Sequence, residues 1–85
     1  MICRKFHVVD KGSLFARVSV EIPAWHMTIE CLWFKKDEHE WIGLPSEKLP
    51  SGKYRPLISF TDESVRDRFQ TAALEAAKKL VSTQA

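Results

Sequence analysis

Over Leu14–Ile22 apolar and polar positions alternate, with Leu14, Ala16, Val18, Val20 and Ile22 on one side and Phe15, Arg17, Ser19 and Glu21 on the other. A period of two, rich in β-branched residues, predicts a half-buried strand. Pro23 ends it, because proline cannot donate to a ladder. A second alternation covers residues 25–34. Trp25, Met27, Ile29, Cys31 and Trp33 form one face, and His26, Thr28, Glu30, Leu32 and Phe34 the other. The charged residues 35–40 make a hairpin tip, and residues 41–44 resume an apolar strand. A loop over residues 45–53 leads to a short strand over residues 54–60, and residues 2–9 form a weaker candidate strand.

From residue 61 the period becomes helical. Thr61 is placed to cap a helix whose first turn holds Asp62 and Glu63, where carboxylates favour the positive end of the dipole. Val65, Phe69, Ala72, Ala73, Ala76 and Leu80 make one apolar stripe, and Lys78 and Lys79 occupy the last turns. Leu74 and Val81 fall roughly opposite that stripe at about 100° per residue, which suggests a second contact surface such as another subunit. The expected architecture is a single α+β domain over residues 1–85. It is a small twisted antiparallel sheet of four or five strands followed by one C-terminal helix.

Composition narrows the class. The 85 residues are 45% hydrophobic and 28% charged with three glycines and four prolines, which is a folding chain rather than a disordered one. A formal charge of +2 is too small to announce a nucleic-acid binder unaided. No apolar run approaches the roughly 20 residues that cross a bilayer, and residues 1–7 carry no secretory signal pattern. Cys3 and Cys31, without a C-x-x-C partner, read as two reduced thiols of a cytoplasmic protein, the alternative being a disulfide between neighbouring strands.

Candidate chemistry is sparse. His7, His26 and His39 lie on three separate segments without metal-ligand spacing, so no metal or cofactor is expected. Ser46, Ser51, Ser59 and Ser64 lack a nucleophile-elbow context, and Asp37, Glu38 and Glu40 beside Lys35 and Lys36 make a solvated turn. Nothing here supports an enzyme. Two features remain. A two-residue turn at Asp37 and Glu38 pairs Phe34 with Trp41 and Trp33 with Ile42, which leaves both sheet faces apolar. The face holding Leu32, Phe34 and Trp41 then needs a partner, either a second copy of the chain or stacked bases. The second feature is the segment 44–60, where Lys48, Lys53 and Arg55 stand against Glu47 alone.

In that segment Pro45, Ser46, Lys48, Pro50, Gly52, Tyr54 and Arg55 match, in order and spacing, the signature of the stage V sporulation protein G family, the septation regulators. Upstream, Gly12 and Ala16 resemble the family's Gly-x-x-x-Ala strand, and the likeness extends over roughly residues 12–79. Pro56, Phe60 and Leu44 depart from the pattern, as a diverged member would. The resemblance implies a small cytoplasmic bacterial protein that is homodimeric and binds DNA or RNA through basic residues. The positions here that could serve in such binding are Lys48, Lys53, Arg55, Arg66, Arg68, Lys78 and Lys79. The pattern of the strands and helix separately places an oligomer interface at Leu32, Phe34, Trp41, Leu74 and Val81. Two other readings stay open. One is a single-strand binder of the Whirly or transcriptional-coactivator kind that uses the sheet aromatics. The other is a protein-interaction module with no nucleic-acid role.

Overall fold

The computed structural model describes residues 1–84. Four strands form an antiparallel meander in the order β1-β2-β3-β4: β1 Ile2–Lys11, β2 Leu14–Ile22, β3 Met27–Lys36 and β4 His39–Gly43. A separate two-stranded hairpin follows, β5 Ser46–Lys48 and β6 Tyr54–Pro56, and then one helix, α1 Glu63–Gln84. The α+β architecture matches the sequence pattern. No helix among the described residues is long and apolar enough to cross a membrane.

The alternation works because α1 covers one sheet face. Ala16, Val18 and Val20 of β2, Ile29, Cys31 and Trp33 of β3, Cys3 and Ile42 are buried beneath it with Phe69, Ala73 and Ala77. The turn at Asp37, whose φ is +57°, sets the register Trp33↔Ile42 and Phe34↔Trp41 expected from the pattern. Cys3 and Cys31 are free and buried, on β1 and β3 with β2 between them. Two strand spacings, about 9.6 Å, exceed the Cα separation a disulfide spans.

Four expectations are corrected. A bulge between Leu14 and Ala16 shifts the start of β2. Leu14 therefore pairs with Phe34, while Phe15 meets Trp33 edge-on, the reverse of the strict alternation. Trp25 leaves the sheet in a short 3₁₀ turn, Pro23–Trp25, closed by a His26 N–H bond to the Pro23 carbonyl, and stands 69% exposed. The helix cap is Asp62 rather than Thr61: its carboxylate accepts from the Ser64 and Val65 amides and the Ser64 hydroxyl. Those bonds, the Ser64 hydroxyl first, hold the Asp62 carboxyl below its usual range. Leu74 and Val81 pack against the core rather than facing away. Fully buried Ala77 turns the stripe toward them, since they lie only about 60° and 40° from it around the helix.

Polar contacts fix α1 over the β4 edge. The Ile42 N–H donates to Gln70 Oε1 at 2.8 Å, and Gln70 Nε2 donates back to the Ile42 carbonyl. One side-chain amide thus serves both outward backbone groups of an edge residue. Below it, Glu40 accepts from Lys78 of the helix at 2.9 Å and pairs with Lys35 at 3.6 Å. The Lys35 ammonium lies over the Phe15 and Trp33 rings, 3.9 and 4.9 Å from their centroids.

Replacing Gln70 by alanine leaves the Ile42 pair to water and is expected to cost about 1–2 kcal/mol in urea unfolding. Lys78, more than Lys35, holds the Glu40 carboxyl below its ordinary 4.5. A carboxyl depressed in the folded state contributes stability above its unfolded value and loses it as pH falls through the folded one. Glu40→Gln should therefore cost about 0.5–1 kcal/mol at pH 7, a difference that shrinks in paired unfolding curves as pH falls through the carboxylate range.

Candidate nucleic-acid interface

The hairpin β5–β6 stands apart from the main sheet as an arm whose six strand residues are all exposed. Its base is closed by the Leu57 N–H to the Pro45 carbonyl at 3.0 Å. Its tip is closed by the Leu49 N–H to the Lys53 carbonyl at 2.7 Å and the Gly52 N–H to the Leu49 carbonyl at 2.9 Å. Gly52 takes φ +88°, a left-handed conformation that other residues rarely adopt. The pairing Glu47↔Arg55 and Lys48↔Tyr54 decides which cations are free. Arg55 is tied to Glu47, whereas Lys48 and Lys53 form no ion pair among the described residues. The available charge of the arm is its two lysines.

The helix cations do not gather into one surface. Lys78 is committed to Glu40, and Arg66 lies 3.6 Å from the Asp67 carboxylate. The Arg68 guanidinium reaches the Ser64 carbonyl at 3.4 Å. Arg68 and Lys79 point the same way but stand about 16 Å apart along the axis, and Arg66 is turned about 160° from Arg68. Glu75 lies between Arg68 and Lys79 on the same exposed side. Of the seven candidate cations, the hairpin carries Lys48, Lys53 and Arg55, and the other four are spread along the helix.

The sheet face away from α1 carries a set that the linear pattern missed. Register places Lys5 opposite Ser19, His7 opposite Arg17, and Arg17 opposite Leu32. Lys5, His7, Arg17 and Glu30 line a shallow groove of about 440 Å³. Beside it on the same face, Leu32 and Phe34 are half-buried and Trp41 is 39% exposed, with Phe34 and Trp41 stacked at 5.3 Å and 13° between planes. A register shift between Cys3 and Lys5 breaks the alternation of β1, which hid Lys5 and His7 from the pattern. Arg4, in that shift, pairs with Glu21 at 2.9 Å and adds no free charge.

The described residues hold no cluster of three or more metal-ligating side chains. Burial pushes the Cys31 thiol up to about 12 and raises that of Cys3, so neither is an activated nucleophile. No known family model and no curated protein matches the chain.

The aromatic pair depends on Gly43. A Cβ there would sit 2.8 Å from Phe34 Cε2, so the ring lies where a side chain would be. Gly43→Ala is expected to push the Phe34 ring off Trp41, costing about 1 kcal/mol and altering the near-UV circular dichroism. An unchanged aromatic spectrum would show that the ring tolerates the methyl group in place.

Proposed function

We propose that the chain is a small, non-catalytic nucleic-acid-binding regulator of the septation-regulator type, acting in the cytoplasm as a homodimer. The carrying observation is the arm: two lysines without an ion pair on a hairpin whose strand residues are exposed, within the segment where the family resemblance is strongest. A flexible ammonium on a projecting strand suits phosphate contact, which supplies affinity without reading sequence. With only +2 of formal charge per chain, binding is weak and needs two arms on one ligand.

A second reading has its own observation. The Phe34–Trp41 stack shares a face with Lys5, His7 and Arg17, the combination of aromatic platform and cations that single-strand binders use.

Fluorescence anisotropy with single-stranded DNA, duplex DNA and RNA separates the two. Contact with about two to four phosphates per dimer gives a log–log salt slope of roughly −2 to −4 and an affinity about micromolar. Lys48→Ala with Lys53→Ala should weaken every target about equally and flatten the slope. Parent-like binding by the double variant would make the arm only a turn. Loss of binding in Trp41→Ala with little salt dependence would move the site to the open sheet face.

A further inference from the structure

Residues two apart on a strand share a face, so Glu30, Leu32, Phe34 and Lys36 follow one another along β3 on the side away from α1, over about 20 Å. Phe34 and its stacked partner Trp41 stand toward one end, and the pair Lys36↔His39, both exposed, lies just beyond them. Toward the other end Arg17 lies opposite Leu32 and His7 opposite Arg17, and the next rung holds Lys5, Ser19 and Glu30. The aromatic platform is thus bracketed by cations along the strand direction. Lys5, Arg17 and Lys36 form no ion pair among the described residues.

Glu30 breaks the sign of this face. It is exposed and lines the same groove of about 440 Å³ as Lys5 and Arg17, yet pairs with neither. Instead the Ser19 hydroxyl on β2 donates to one of its oxygens at 2.6 Å, which positions the carboxylate and leaves its second oxygen free to accept. Glu21, the other carboxylate that β2 and β3 place on this face, is held by Arg4 at 2.9 Å. A carboxylate repels phosphate, so this end of the face suits the donor edge of a base better than a backbone oxygen.

Resting on the nucleic-acid reading above, we propose that a single strand lies along β3 on the open face and that Glu30 determines its specificity, favouring cytosine over thymine or uracil. Only an unpaired base offers both a face for the Phe34–Trp41 platform and a free edge for hydrogen bonding. Cytosine presents an amino group that donates to a carboxylate, whereas thymine and uracil present a carbonyl oxygen in its place. Glu30 and Phe34 are about 14 Å apart along the strand, too far for one base to meet both. Stacking therefore holds the strand whatever its sequence, while Glu30 reads a different base. The lysines of the hairpin arm touch phosphate alone and take no part in the choice, so the two readings fail separately.

The test is fluorescence anisotropy with oligo-dC and oligo-dT of about 12 nucleotides, long enough for one such site. The parent protein should bind oligo-dC about three- to tenfold more tightly, the difference one hydrogen bond makes. Glu30→Gln, whose amide accepts from cytosine and donates to thymine, should bring the two within about twofold while keeping the parent far-UV circular dichroism. Lys48→Ala with Lys53→Ala should weaken both oligomers and preserve their ratio. Equal binding of the two by the parent, or a cytosine preference that survives Glu30→Gln, overturns the proposal. Equal binding that is then lost in the arm variant overturns it while the arm reading stands.

Discussion

The side-chain amide of Gln70, matched to both backbone groups of Ile42, is the contact on which the placement of everything else depends. An edge strand presents free N–H and C=O groups that invite another strand. Here a helix residue satisfies them at Ile42, which closes that part of the β4 edge and sets where the helix sits along the sheet. With that point fixed, Ala73 and Ala77 fall over the core and Lys78 reaches Glu40, while Asp62 caps the start of the helix.

One helix cannot cover a four-stranded sheet of this size on all sides, and its placement distributes what is left. Toward β4 the side chains of Glu40, Lys35 and Lys78 seal the boundary with charge. Where β2 passes into β3, no ion pair among the described residues joins the sheet to the helix, and Trp25 and Met27 are exposed. The far face stays open, divided between charged residues on β1 and β2 and aromatic ones on β3 and β4. The hairpin arm belongs to none of these surfaces.

How far the fold was legible follows from what each residue type can signal. The β-branched alternation of β2 located that strand at both ends, because only a period of two explains Val18, Val20 and Ile22 together. Its bulge was hidden, because Leu14 and Phe15 are both apolar and either could face the core. Trp25 continued the alternation of β3 in sequence while the left-handed His26 took it out of the sheet, a backbone event with no hydropathic mark. In the helix, four alanines carry so little directional information that the pattern does not mark Ala77 as core, and without Ala77 the stripe points away from Leu74 and Val81. Charge was legible and pairing was not. Seven cations could be named, but Glu47 and Glu40 determine that Arg55 and Lys78 are engaged.

The order of elements along the chain has a consequence for synthesis. Each meander strand pairs with the one made just before it, so the sheet can assemble as it emerges. Its apolar face, centred on Val18 and Trp33, is roofed only by the last 22-residue element. At about 5–20 residues per second, translating that helix takes on the order of 1–4 s. During that interval the nascent chain exposes a hydrophobic sheet, and the β4 edge still lacks Gln70. A pause while that helix is being made would therefore prolong the time the sheet face stands uncovered.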